Sequence, residues 1–191
     1  MPRLFTGLEI PGQIAQGLSM LRGGLPGARW IDPENYHITL RFIGDVDGAM
    51  GRDVMQMLGA VRRAPFDIAL DRLDQFGGRK PRAIFAGATP IPALIELQAE
   101  HERILQRLGL PPESRKYSPH VTLARLRETS AHQVADYLSS RAPLRSPAFP
   151  VARFVLFSSK ASTGGGPYVV EAAYPLFGEP GRARDAGKAY G

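Results

Sequence analysis

The sequence predicts an α+β fold: a bilobal, pseudo-symmetric duplication with two antiparallel sheets, flanking helices and a central cleft. Three observations carry this. Strand-like alternation and helical stripes follow one another in the order β-α-β-α-β-β-α-β-α-β-β. The tetrapeptides His37-Ile-Thr-Leu and His120-Val-Thr-Leu recur at matching places in that order. From each histidine it is 29 residues to a following strand, at Phe66 and Phe149, and 47 or 48 to the next, at Ile84 and Tyr168. Equal offsets around equal motifs mark two copies of one unit.

The elements follow in order. Arg3–Ile10 alternates as a strand, and Pro11 to Leu21 places Ile14, Leu18 and Leu21 on one helical face before Gly23, Gly24, Pro26 and Gly27 break it. Pro33-Glu-Asn reads as a turn and Tyr36–Gly44 as the first motif strand. Asp47 to Arg63 carries the apolar stripe Met50, Val54, Met57, Leu58 and Val61. Phe66–Leu73 alternates, with Phe66, Ile68 and Leu70 on one side and Asp67 and Asp71 on the other. Ala83–Ala88 is a short strand after a polar loop, and Pro92 to Leu108 a helix whose proline sits in the tolerated first turn. His120–Leu126 is the second motif strand. Ser130 to Ser139 is a helix that opens with the capping pattern Ser-Ala-His-Gln. Phe149–Ser158 and Tyr168–Phe177 read as two strands around the glycines 164–166. Residues 1–177 are thus expected to form one bilobal domain. Residues 178–191, rich in Gly, Arg and Ala without an apolar period, are expected to be a disordered tail.

Composition narrows the chemistry. The chain has 191 residues and no cysteine, which excludes disulfides, zinc–thiolate sites and thiol nucleophiles. No stretch approaches the ~18 apolar residues of a membrane helix. The opening Met-Pro-Arg-Leu-Phe-Thr lacks the features of a secretory signal, so a cytoplasmic protein is expected. The formal charge of +6 favours polyanionic partners.

The two motifs are the informative residues. In a strand, residues i and i+2 share a face, so His37 stands beside Thr39 and His120 beside Thr122. Ile38 and Leu40, like Val121 and Leu123, point the other way, into a core. Four histidines and six threonines in 191 residues would give about 0.1 His-x-Thr matches by chance, so a pair is informative where one would not be. Two strands brought together by the duplication would face two imidazoles and two hydroxyls toward a common centre. That set suits acid–base hydrolysis of a phosphodiester. One neutral imidazole takes a proton from water, one imidazolium gives a proton to the departing oxygen, and the hydroxyls bind the non-bridging oxygens. No step calls for a metal or another cofactor.

These motifs, with the segments Arg3-Leu-Phe-Thr-Gly-Leu-Glu-Ile, Trp30-Ile-Asp-Pro-Glu-Asn-Tyr, Arg79-Lys-Pro-Arg-Ala-Ile-Phe-Ala-Gly and Tyr117-Ser-Pro, resemble the 2H phosphoesterase superfamily. Within it they resemble the RNA 2',3'-cyclic phosphodiesterases, also called 2'-5' RNA ligases. The resemblance covers about residues 3 to 177. It implies an active site in the cleft, with His37 as proton donor, His120 as proton acceptor, and Thr39 and Thr122 holding the phosphate. Arg125 stands where that family often has a phosphate-contacting arginine. Tyr117 replaces a common phenylalanine and is expected either to stack on a base or to add a hydroxyl to the cleft. The implied partners are RNA or oligonucleotide ends bearing a 2',3'-cyclic phosphate, with no membrane and no obligate protein partner. Reversible 2'-5' ligation is implied alongside hydrolysis. Two other readings stay open: an RNA-end binding module without turnover, and a related enzyme acting on another cyclic phosphate or on a 2'-5' linkage.

Other residues are less telling. Arg41 lies four positions after His37, on the same face by simple alternation, and reads equally as a phosphate contact or a solvated edge residue. Arg79, Lys80 and Arg82 form a basic loop that reads first as a solvated turn and second as an RNA guide. Trp30 and Phe42 are expected to pack in the core rather than to stack on bases, His101 to be buried on a helical stripe, and His132 to be solvated.

Overall fold

The computed structural model describes residues 3–159 and 166–178; of the glycines expected to turn the last hairpin, 164 and 165 lie outside them, as does all of the expected tail but Gly178. The elements in chain order are β1 (Arg3–Glu9), α1 (Gly12–Ser19), β2 (Ala28–Trp30), a single 3-10 turn at Pro33–Asn35, β3 (His37–Asp45), α2 (Gly48–Leu58), β4 (Phe66–Ile68), β5 (Leu70–Phe76), β6 (Ala83–Ala88), α3 (Pro92–Arg107), β7 (His120–Leu126), α4 (Ala131–Arg141), β8 (Phe149–Val151), β9 (Arg153–Ser159) and β10 (Tyr168–Pro175).

Local chemistry sets several boundaries. Asp47 accepts the Met50 amide at 2.8 Å and starts α2. Ser130 and Gln133 close a reciprocal capping box at 3.1 and 2.9 Å, the arrangement their spacing predicts. The run from Phe66 to Leu73 is not one strand. It breaks after Ile68, because β4 leaves to pair with β8 while β5 joins β6.

All strand pairs are antiparallel. The first lobe has the order β10-β9-β1-β3 and the second β7-β6-β5, with β2 beside β7. One backbone pair, Ile38 with Val121, joins the lobes where β3 meets β7. Behind β3 lies α3 with α2 packed on it, and behind β5 lies α4. The Tyr137 hydroxyl of α4 donates to the Leu21 carbonyl, just past α1, at 2.7 Å.

Duplication is visible in the register. Adding 83 to a residue number carries His37 to His120 and Phe66 to Phe149. In the β4–β8 pair, Phe66 faces Val151, Asp67 faces Pro150 and Ile68 faces Phe149. Asp67 thus opposes its own mate, and the pairs on either side of it exchange, Phe66–Val151 with Phe149–Ile68, as a twofold axis requires. The Ile38–Val121 pair lies on the same axis. The halves also exchange strands: β5, from the first half, pairs with β6 of the second, and β9, from the second, pairs with β1 of the first. The match of 47 and 48 residues to Ile84 and Tyr168 is not part of this symmetry. β6 lies beside a motif strand, whereas β10 is an edge strand beyond β9.

Candidate active site

The two motif strands carry the same sequence of exposures over seven residues, from His37 to Ile43 and from His120 to Leu126. In each, the histidine and threonine are half-buried, the residue between them and the two after the threonine are buried, and the sixth is exposed. Ile38 and Val121, both 0% exposed, plug the core at the junction. The four polar side chains of the motifs therefore stand on the opposite, cleft-lining face. The register there sets His37 toward Thr122 and Thr39 toward His120 across the axis.

The same backbone contact orients both imidazoles. His37 Nδ1 donates to the Asn35 carbonyl at 2.9 Å, and His120 Nδ1 donates to the Ser118 carbonyl at 2.7 Å. With the proton fixed on Nδ1, the neutral form of each ring presents Nε2 as a base. Thr39 Oγ1 lies 3.1 Å from His37 Nε2. Aromatic rings floor both sides. His37 meets Phe5, Phe157 and Tyr168 at centroid distances of 5.0, 5.6 and 4.9 Å. His120 meets Phe76 and Phe85 at 4.8 and 5.4 Å. Sequence reasoning missed these floors, because an aromatic on a strand is the ordinary core pattern.

Burial depresses both imidazoles. It is the main reason that the His37 pKa falls to about 4, with the Asn35 carbonyl pulling upward and His120 and Arg125 pushing further down. His120 is lowered by burial too, against the pull of the Ser118 carbonyl, and then by Arg72 and Arg125. His37 therefore feels His120, and Arg125 acts on both.

A β-bulge decides which arginines face the cleft. Gly7 pairs with Thr39 but Thr6 with Arg41, so Leu40 is an extra residue. Phe85 pairs with Thr122 but Ile84 with Ala124, so Leu123 is extra as well. Beyond each bulge the alternation changes phase. Arg41 does not face His37, as simple alternation would have it. It is 8% exposed, bonded to Glu102 of α3 and to the carbonyls of Phe42 and, at 2.6 Å, Pro111. It is a structural cation behind the sheet. Arg125, five residues after its histidine, gains the cleft face, and Phe42, its mate under the twofold, is 47% exposed on the corresponding face of the first lobe. Core packing for Phe42 is corrected by the same bulge.

Tyr117 donates its hydroxyl to the Thr39 carbonyl at 2.9 Å, tying the segment before β7 to the first motif, and burial pushes the phenol pKa up. That hydroxyl is thus used within the protein. His101 is fully buried, with Nδ1 2.8 Å from Thr6 Oγ1, while His132 is solvated and 3.4 Å from Asp136. Trp30 is half-buried against Tyr137, and Arg79, Lys80 and Arg82 are exposed around the β5–β6 turn. A cavity of about 540 Å³ opens beside His37, lined by Gln16, Glu34, Asn35 and Tyr168 among others. Among the described residues no cluster of three or more His, Asp or Glu is gathered as for a metal ion, and no helix is long and apolar enough to cross a membrane.

With this geometry in place, comparison is informative. The family model described as LigT like Phosphoesterase matches in two consecutive segments, residues 8–85 and 88–168. A Geobacillus stearothermophilus protein named RNA 2',3'-cyclic phosphodiesterase is 32% identical over 183 residues, 92% of this chain and 58% of the relative. Namesakes from Aeropyrum pernix and Bacillus subtilis are 36% and 32% identical, over 57% and 65% of this chain and 62% and 71% of their own lengths. The chain thus spans less than two thirds of the first two relatives. Among solved structures, TT0787 of Thermus thermophilus matches with a TM-score of 0.79 at 24% identity, covering 93% of this chain and 99% of that one. Escherichia coli LigT complexed with 3'-AMP matches at 0.75 and 24%, covering 92% and 99%. These likenesses extend the fold across nearly the whole chain.

Proposed function

The chain belongs to the LigT-like phosphoesterase family, and on that premise we propose that it hydrolyses 2',3'-cyclic phosphates at RNA ends by metal-independent acid–base catalysis. The observation that carries the reading is the twofold pairing of the His37–Thr39 and His120–Thr122 strands at Ile38 and Val121, which turns both imidazoles to one cleft.

In this reading the phosphate lies between the histidines. His120 Nε2 takes a proton from a water whose oxygen bonds to phosphorus. His37, charged in the complex, gives its proton to the 3' oxygen as the P–O3' bond breaks. Water supplies one hydroxyl, the ribose regains another, and the phosphate remains on the 2' oxygen. The protons return through solvent, so histidine is restored without a cofactor. Thr39, Thr122 and Arg125 donate to the non-bridging oxygens, where charge builds in the transition state. The phosphate anion offsets the low pKa of His37, because a nearby negative charge favours imidazolium. Run backward with a ribose hydroxyl in place of water, the same steps make a 2'-5' linkage.

The names of the relatives and the net positive charge favour an RNA end over other cyclic phosphates. An RNA substrate in turn favours a cytoplasmic setting. An oligoribonucleotide ending in a 2',3'-cyclic phosphate tests the reading. The expected product ends in a 2'-phosphate. A 3'-phosphate would mean exchanged donor and acceptor roles or a reversed pose of the substrate, and an unchanged substrate would leave RNA-end binding or an enzyme for another cyclic phosphate or a 2'-5' linkage.

A further inference from the structure

Each catalytic histidine stands at the end of a three-strand row, and the rows differ at one residue. In the first lobe Glu9 pairs with His37 in register, and Arg153 of β9 grips Glu9 through two bonds of 2.6 and 2.9 Å. In the second lobe Gly87 pairs with His120, and Arg72 of β5 pairs with Gly87. The twofold thus relates Arg153-Glu9-His37 to Arg72-Gly87-His120. Glycine stands where the first lobe has a carboxylate.

The consequence is local and physical. Arg72 folds over Gly87, so that a Cβ there would come within 2.6 Å of the guanidinium carbon. Its charge lies over the Phe85 ring at 5.8 Å, and that ring packs edge-on against His120 at 5.4 Å. The carboxylate contact of Arg72 is its chain neighbour Asp71, at 3.5 Å, too long for a strong ion-paired hydrogen bond. Arg153 is neutralised by its partner, whereas Arg72 keeps its field directed at the second histidine.

We propose that Arg72 is a positioning residue that holds His120 as the proton acceptor, and that the exchange of Glu9 for Gly87 between the lobes breaks the symmetry of the duplicated site. A duplication supplies two equivalent imidazoles, yet hydrolysis needs one acid and one base. Burial lowers the His37 pKa to about 4 in the free protein, but the bound phosphate offsets that. What then remains is a guanidinium that disfavours imidazolium at His120, against a compensated Arg–Glu pair at His37 that exerts no comparable push. The charged and titratable groups around His120 agree with this. β5 presents Arg72, with Asp74 two residues on. β6 presents only Gly87 and Phe85. β7 presents Arg125, and β3 presents His37. Arg125 acts on both histidines, so it cannot distinguish them, whereas Arg72 lowers His120 alone.

This inference rests on the proposed acid–base roles, but its test does not need turnover. The ring nitrogens of His120 are titrated by NMR in the ligand-free protein, in wild type, Arg72→Gln, Arg72→Lys and Gly87→Glu. Arg72→Gln is expected to raise the His120 pKa by about half a unit to one unit, since Arg72 is partly exposed and screened. Arg72→Lys is expected to hold it near the wild-type value. Gly87→Glu rebuilds the first-lobe row and is expected to raise it as Arg72→Gln does, while His37 moves less in every variant. The ascending limb of the hydrolysis pH profile, which belongs to the coupled pair, is expected to move upward in the same two variants. A His120 titration unmoved in folded Arg72→Gln, or moved equally in Arg72→Lys, overturns the inference. The expected titration shift with no cyclic-phosphate hydrolysis in wild type would instead overturn the functional reading and leave the electrostatic asymmetry standing.

Discussion

Leu40 and Leu123 are the extra residues of two matched bulges, one in each motif strand, and they reverse the faces of the residues that follow. The bulge sends Arg41 to the helix side, and its mate in β7 brings Arg125 to the cleft. Two arginines that look alike beside two matching motifs are therefore expected to show opposite mutant behaviour. Arg41→Ala leaves Glu102 and two carbonyls without their cation, so it is expected to cost about 3 kcal/mol of stability. Arg125→Ala is expected to change stability by less than about 0.5 kcal/mol and to lower kcat/KM by about 10²-fold. Urea melts and initial rates on the same two variants check this. Loss of activity in Arg41→Ala at unchanged stability would contradict the bulge argument.

Either histidine replaced by alanine is expected to reduce hydrolysis by about 10²–10⁴-fold with the fold intact. Thr39→Val and Thr122→Val are expected to cost less, because other donors still face the phosphate. A chelator is expected to leave the wild-type rate unchanged, since protons are moved by imidazoles alone. The pH profile is expected to be bell-shaped, with limbs that belong to the coupled pair rather than to either ring. Activity that depends on added metal and survives His120→Ala would mean that different chemistry operates in the cleft.

Anion binding is expected to take up a proton. Burial holds His37 neutral in the free protein at pH 6, far above its value of about 4. A bound anion favours the imidazolium, so the bound pKa rises toward or above 6 and the complex carries an extra proton. Calorimetry with sulfate at pH 6, in two buffers of different ionisation heat, measures this directly. Proton release on binding would contradict the electrostatic description of the site.

Stability is expected to fall as the solution is acidified. Both His37 and His101 have folded-state values depressed below 6.5, to about 4 and about 3, chiefly by burial. The unfolded chain therefore binds more protons below pH 6.5. Stability is complete above that pH and is lost as pH falls toward each folded value, at about 1.4 kcal/mol per pH unit for each histidine. Urea midpoints at pH 7, 6 and 5 are expected to fall in sequence. His101→Gln is expected to flatten the trend without abolishing it, since His37 and His120 are depressed too, and an unchanged slope would show that His101 is not a buried neutral group.

Much of this architecture was legible in the sequence, for identifiable reasons. The strands from His37 and His120 could be found because alternation and the paired His-x-Thr motif coincide there, and the Ser130–Gln133 box placed the start of α4. The 29-residue spacing pointed to the duplication that the β4–β8 register displays. What could not be read depends on the partner strand. A bulge is a mismatch between two strands, so nothing in the run His37 to Phe42 shows that Arg41 turns away. The break between Ile68 and Leu70 was hidden because both residues are buried, each against its own sheet. Arg72 escaped notice for the same reason: its importance comes from Gly87, fifteen residues away in the chain and opposite it in register.

The claim on which the account turns is that His37 gives the proton and His120 takes it. The most direct test compares His37→Ala and His120→Ala on a 2',3'-cyclic phosphate end and on the same end with sulfur as the bridging 3' atom. A thiolate leaves without needing a proton, so the general acid loses its work while the general base keeps its own. The His37→Ala defect is expected to shrink at least about tenfold with the sulfur substrate, while the His120→Ala defect stays unchanged. A defect that shrinks for His120→Ala and persists for His37→Ala would contradict the claim.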